Sequence, residues 1–151
     1  MKRVLSLCLV LVTACILVSA APAGPRPEIM GVALGMSRVD ARARLQSLGT
    51  LEKETRKRQE VWVIKDQRIS HLLVGYDPDF RVRYVTAVAR IGGPRMRYDE
   101  VADLNSAQRT NTQGNYKFTW EVRGQLAFLA IAHGRDPQYL DSYSVKKLDQ
   151  K

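Results

Sequence analysis

Cysteine is scarce in this chain of 151 residues. There are only two, Cys8 and Cys15, and both lie close to the N-terminus. If that region is removed as a leader, the remaining body has no cysteine. Disulfide bonds, thiol nucleophiles and cysteine-ligated metals are then excluded, even in an oxidising compartment. The stability of the body must come from packing.

The chain also has only two histidines, His71 and His133. They are far apart in sequence, and no pair has a metal-ligand spacing such as H-x-x-x-H. There is no Gly-x-Ser-x-Gly elbow, and the glycines near residues 31–35 and 92–94 do not form a phosphate-binding loop. We therefore expect no enzyme activity, no catalytic residue, no cofactor and no metal.

Acidic residues are outnumbered, 15 against 24 lysines and arginines, which gives a formal charge of +9. Lys2 and Arg3 supply two of these charges, so a chain cleaved after Ala20 keeps +7. This excess favours anionic partners, such as an acidic protein face or anionic lipid. Nucleic acid is not expected, because an exported protein rarely meets it.

The first twenty residues have the parts of a secretory signal peptide. Lys2 and Arg3 form a positive start, residues 4–18 are almost wholly apolar, and small residues precede a cleavage point at Ala20. A proline-rich exit linker follows at 21–27. The pattern predicts export to the periplasm or to the periplasmic side of the outer membrane.

Two other fates of this leader stay open. Val12-Thr13-Ala14-Cys15 is similar to a lipobox, which would make Cys15 a lipid-attachment residue and the protein a lipoprotein. The apolar run continues past Cys15, however, where lipoproteins usually become polar. An uncleaved anchor is the third alternative, although the run is marginal in length for a membrane span.

The body begins with a helix. Ser37 is a good N-cap, the apolar spacing predicts a helix to about Leu48, and Gly49 ends it. A charged stretch at 52–60 is expected to be a loop or the entry to a strand. The strongest hairpin signal spans 69–90, around the turn at Asp77-Pro78-Asp79-Phe80.

The second half predicts a similar unit. A weaker helix is expected over Tyr98 to Ala107, a polar loop at 111–115, and then three strands. Asp77-Pro78 recurs 59 residues later as Asp136-Pro137, and Tyr84 then aligns with Tyr143. We therefore predict an α+β fold of two repeats, 28–91 and 92–151. Each repeat has one helix and three antiparallel strands, with the helices packed on one face of a shared sheet.

Two residue types are candidates for partner contact. Arginines cluster around the hairpin and the segment that follows, and guanidinium groups bind phosphates and carboxylates in a bidentate way. Large aromatic rings carry much of the binding energy of protein interfaces. The candidate contact residues are Arg81, Arg83, Arg90, Arg95, Arg97, Trp62 and Trp120. A solvated arginine face and a packed aromatic core are the structural alternatives.

Four short motifs follow one another along the first half: Gly35-Met36-Ser37 at the start of the helix, Leu48-Gly49 at its end, Trp62 on a strand, and Leu73 to Asp77 before a turn. Together they resemble the SmpA/OmlA family of small bacterial envelope lipoproteins. The resemblance covers about residues 29–90. It implies a fold similar to that of β-lactamase inhibitor protein, and a place in outer-membrane assembly or maintenance. The chain departs from the family at Thr50, where a proline is usual, and in its imperfect lipobox.

Taken together, the sequence predicts a basic, non-catalytic, exported envelope protein that acts as a binding or scaffold module for a partner protein. A second hypothesis is a periplasmic inhibitor-like module that blocks an envelope enzyme.

Overall fold

The computed structural model describes residues 24–55 and 58–149. The predicted signal peptide, with Ala20 and Cys15, lies outside the described residues. Within them, no helix is long and apolar enough to cross a membrane.

An eight-stranded antiparallel sheet, the main sheet, dominates the fold. Its strand order is β3-β4-β5-β6-β12-β10-β9-β8. Two short ladders, β1 with β2 and β7 with β11, stand beside it. In chain order the elements are β1 Glu28–Ile29, β2 Val32–Ala33, α1 Arg38–Leu48, β3 Gly49–Thr55, β4 Gln59–Ile64, β5 Ile69–Tyr76, β6 Val82–Ala89, β7 Met96–Arg97, β8 Gln108–Thr112, β9 Asn115–Val122, β10 Phe128–Gly134, β11 Tyr139–Leu140 and β12 Ser142–Lys147.

The first predicted helix is confirmed as α1. Ser37 Oγ accepts a hydrogen bond from the Asp40 amide at 3.2 Å, and Ala41 and Leu45 are buried against the sheet. Gly49 ends the helix with extended backbone at φ −177°. A Cβ at Gly49 would lie 1.8 Å from the Val63 carbonyl oxygen. Glycine is therefore needed for the close approach of two strands, not for a left-handed turn.

The predicted fold class is wrong, because the second helix does not form. Over Tyr98 to Ala107 the chain makes two single 3₁₀ turns, Tyr98–Glu100 and Leu104–Ser106. Between them, Asp103 accepts hydrogen bonds from the backbone and side-chain nitrogens of Asn105 at 3.0 and 3.1 Å. A side chain that bonds its own neighbours in this way competes with the helical ladder. The molecule is thus mostly β-sheet, with one α-helix in the described residues.

The predicted number of strands is also wrong. The charged stretch at 52–60, expected to be a loop or strand entry, contains the second half of β3, and the polar loop expected at 111–115 contains the turn of the β8–β9 hairpin. Each half of the chain therefore contributes four strands to the main sheet, not three. β3 and β8 are its two edges.

The two tyrosines aligned by the 59-residue offset differ in position. Tyr143 is paired with the buried Ala87 and packs against the core. Tyr84 lies three residues before Ala87 on the same strand, so alternation places it on the opposite face. Its hydroxyl donates to Gln59 Oε1 at 2.8 Å.

The hairpin turn forms as predicted. Asp77 Oδ1 accepts hydrogen bonds from the amides of Asp79 and Arg81 at 3.0 and 2.9 Å. The strands that it joins, β5 and β6, are adjacent in the sheet.

The core lies on one face of the main sheet. Buried apolar side chains pack onto this face from the elements that cover it, among them Val32, Leu45 and Tyr98. These elements are the β1–β2 hairpin, α1 and the two 3₁₀ turns. We call the other side of the sheet, opposite α1, the open face. By alternation it carries Val61, Leu73, Tyr84, Thr86, Ile131 and Ser144.

Candidate functional site

A cleft of about 850 Å³ lies at one end of the central strands. It forms where β5 begins, β6 ends and the chain returns between β10 and β12. We call it the arginine cleft because three guanidinium groups line it. Its lining includes Ser70, His71, Val88, Ala89, Arg90, Ile91, Gly92, Gly93, Arg95, Arg135, Leu140 and Asp141.

Arg90 is held in place by backbone carbonyls. Its Nε donates to the Asp66 carbonyl at 2.9 Å, and its Nη2 donates to those of Ile64 and Ile69 at 2.8 and 3.2 Å. Carbonyl oxygens orient the guanidinium without neutralising its charge. Arg90 therefore gives the cleft a fixed positive charge.

The loop after Arg90 depends on glycine. Gly92 has φ +79°, and a Cβ at Gly93 would lie 2.3 Å from the Gln67 carbonyl oxygen. The tight path leaves the side chain of Ile91 fully exposed at the rim of the cleft. The cleft thus has an exposed apolar side chain beside its arginines.

The other two arginines each have one carboxylate partner. Arg95 lies over the Tyr139 ring, 4.2 Å from its centroid, and its Nη1 donates to Asp136 Oδ2 at 3.0 Å. Arg135 Nε donates to Asp141 Oδ2 at 3.1 Å. Both guanidinium groups are half exposed or more, so they can reach a ligand.

Asp136, the partner of Arg95, is itself held in place by backbone amides. Its Oδ1 accepts the amides of Gln138 and Tyr139 at 2.8 and 3.3 Å. These backbone hydrogen bonds, with the Arg95 charge, hold the pKa of the Asp136 carboxyl below its ordinary value. The predicted turn residue therefore helps to position an arginine of the cleft.

The electrostatic balance of the cleft favours an anion. Three guanidinium groups line it, and two of them are paired with the carboxylates of Asp136 and Asp141, so the formal excess is the one positive charge of Arg90. Apolar side chains, including Ile91 and Leu140, make up much of the remaining wall. An acidic group on a partly apolar surface fits this combination.

Ser70 and His71, which are adjacent on β5, bring a hydroxyl and an imidazole to the cleft. His71 Nδ1 lies 3.0 Å from Ser70 Oγ, whereas Glu52 Oε2 is 3.6 Å from Nε2, beyond hydrogen-bond distance. The single Ser70 proton also faces the Val88 carbonyl at 3.2 Å. The Glu52 carboxylate therefore does not form the hydrogen bond by which a third group orients a catalytic imidazole. In the part of the chain that the structure describes, no group of three or more His, Cys, Asp or Glu residues is placed to hold a metal ion.

The predicted contact arginines do not form one surface. The cleft brings together Arg90 and Arg95. Arg97 is paired with Asp99, whose carboxylate accepts from its Nε and Nη2. Arg83 donates to Asp149 at 2.9 Å beside the open face, and Arg81 donates to the Gly35 carbonyl at 3.2 Å.

The predicted contact tryptophans are buried. Trp62 is 3% and Trp120 2% exposed. The Trp62 indole N–H donates to Glu60 Oε2 at 3.0 Å, and that of Trp120 donates to the Asp103 carbonyl at 2.9 Å. Both rings pack in the core, out of reach of a partner at the described surface.

Sequence reasoning missed Arg135, His71 and Leu140 as members of the cleft. Arg135 directly precedes the Asp136-Pro137 turn, which the sequence does identify. Its position next to this turn could have marked Arg135 as a candidate. The contact of the turn with Arg95, however, depends on the pairing of β11 with β7, which are far apart in sequence.

Comparisons with protein-family models, curated proteins and solved structures found no match to this chain. The resemblance to the SmpA/OmlA family and to β-lactamase inhibitor protein therefore stays a prediction from short motifs.

Proposed function

We propose that this chain is an exported, non-catalytic envelope protein that binds an acidic face of a partner protein through the arginine cleft. The observation that carries this proposal is the unbalanced charge of the cleft. Arg90 is fixed by three carbonyl oxygens and has no carboxylate among those partners. The sequence of the first twenty residues supports the proposed export.

The surroundings of the cleft suit a protein partner. Ile91 is an exposed apolar side chain that lines the same cleft as the three arginines, and protein interfaces combine such an apolar contact with surrounding polar groups. Arg95 and Arg135 are exposed enough to form bidentate bonds with carboxylates.

Site-specific photocrosslinking in the bacterial envelope tests this function. A photoreactive residue at position 91 is expected to capture a discrete partner with an acidic surface. The matched control is the same residue at Val39, which is 78% exposed on α1. The double variant Arg95→Gln with Arg135→Gln should abolish the crosslink at position 91. Equal capture from both positions, or capture that survives the double variant, would contradict the proposal.

A further inference from the structure

The two edges of the main sheet are unequal. β3 carries Glu52, Lys53 and Glu54, and its register shifts between Leu51 and Lys53. Edge charges and bulges prevent a sheet from pairing with another strand. The β3 edge is protected in both ways.

The β8 edge is less protected. Its five residues, Gln-Arg-Thr-Asn-Thr, are all exposed, contain one charge and no proline, and pair with β9 without a register shift. Such an edge presents a row of unpaired backbone N–H and C=O groups. An added strand can form a regular ladder of hydrogen bonds with them.

The register shows which backbone groups face outward. β8 and β9 are joined by Gln113 and Gly114, both with positive φ, as in a type I′ turn. A two-residue turn of this kind closes on a hydrogen-bonded pair, here Thr112 with Asn115. Because bonded and non-bonded pairs alternate, the N–H and C=O groups of Arg109 and Asn111 point away from β9.

The side chains at this edge indicate the charge of the occupant. Arg109 is the one charged residue of β8, and its guanidinium lies over the Phe118 ring, 5.6 Å from the centroid. A carboxylate directly across from Arg109 on an added strand would form a favourable cross-strand pair. A second copy of this basic chain would bring like charge instead, and five residues offer a small interface.

We propose that the β8 edge binds an extended, acidic segment of a partner protein, which adds as a ninth strand to the main sheet. The backbone groups of Arg109 and Asn111 would bind the segment, and the Arg109 side chain would select for acid. This site is separate from the arginine cleft and does not depend on the function proposed there.

The test uses a displayed library of random twelve-residue peptides, selected on the purified protein. We expect binders rich in β-branched residues with an acidic residue near the centre. Asn111→Pro removes one outward N–H without removing a bond to β9, so it should weaken these peptides by about tenfold or more. Asn111→Ala keeps the N–H and is the matched control, with affinity expected within about twofold of the parent.

Hydrogen exchange provides a second measurement that needs no variant. The amides of Arg109 and Asn111 should exchange rapidly in the free protein and become protected when a selected peptide is bound. Binders that remain equally tight on Asn111→Pro, lack acidic residues, or leave these amides unprotected would overturn the proposal. Failure to select any peptide, or self-association through β8 in solution, would overturn it as well.

The Arg95→Gln, Arg135→Gln double variant separates the two sites. It should leave peptide binding at β8 unchanged while abolishing the crosslink at position 91. A crosslink that survives in this variant contradicts the function proposed for the cleft alone, whereas weaker peptide binding contradicts a separate site at β8.

Discussion

The Trp62 indole N–H donates a hydrogen bond of 3.0 Å to Glu60, and the side chains of both residues are buried. The same carboxylate accepts from Tyr76 Oη at 3.0 Å and from Arg38 and Arg42 Nε at 2.9 and 2.8 Å. Four donors from α1, β4 and β5 thus satisfy one buried acid. This network fixes the helix against the sheet.

We predict that Glu60→Gln destabilises the fold by about 3 kcal/mol, because it leaves two partly buried guanidinium charges without their buried counter-ion. Chemical denaturation of the variant and the parent measures the change in the free energy of unfolding. Glu54→Gln is the control, since Glu54 pairs with the same arginines but is 45% exposed. Equal effects of the two substitutions would contradict the central role given to Glu60.

Gly75 and Tyr84 are paired across β5 and β6. A Cβ at Gly75 would lie 2.0 Å from the Tyr84 ring. The tyrosine therefore covers the glycine on the open face, and any side chain at 75 must displace the ring.

We predict that Gly75→Ala costs about 1–3 kcal/mol, as overpacking does elsewhere. The cost should largely disappear when Tyr84→Ala is also present, because the alanine then has room. A double-mutant cycle of denaturation free energies measures this coupling. Additive effects of the two substitutions would show that the contact does not determine the cost.

The buried Tyr98 and the partly buried Tyr143 predict an alkaline limit to stability. Burial raises the pKa of Tyr98 to about 12, with further contributions from the Asp141 and Asp136 charges, and burial alone raises that of Tyr143 to about 12. Both values exceed the ordinary 10.0, so ionisation disfavours the folded state. Their contribution is full below about pH 10 and is lost as the pH rises towards 12.

Unfolding free energies measured across this range should therefore fall, together with the rise in tyrosinate absorbance. Tyr143→Phe should make the decline less steep, since it removes one of the titrating groups. An unchanged decline in this variant would exclude Tyr143 as a contributor.

Elements with local signals were predictable from the sequence. The N-cap at Ser37 and the Asp77 turn rest on hydrogen bonds between residues close in sequence, and the strand with Phe118 and Trp120 shows clear alternation. The two edge strands were not predictable in this way. β8 is polar on both faces and Leu51 is the one large apolar residue of β3, so their assignment depends on a neighbouring strand and not on their own pattern.

The arginine cleft was predictable only in part, for the same reason. Arg90 and Arg95 are close in sequence, whereas Arg135 reaches them through the pairing of β7 with β11, where Arg97 lies opposite Tyr139. The prediction of a second helix was wrong because the Asp103 side chain bonds Asn105 and interrupts the helical hydrogen bonds. The weak pattern of apolar residues in this segment does not reveal that interruption.

The N-terminal processing of the chain can be decided by the intact mass of the protein purified from bacterial envelopes. We predict a mature chain that begins at Ala21 without lipid, since the apolar run continues beyond Cys15 and small residues precede Ala21. The chain would then keep a formal charge of +7, with Lys2 and Arg3 removed. A mass that corresponds to acylated Cys15 would instead make residues 16–27 a tether. Partner searches for the arginine cleft should in that case begin among membrane complexes.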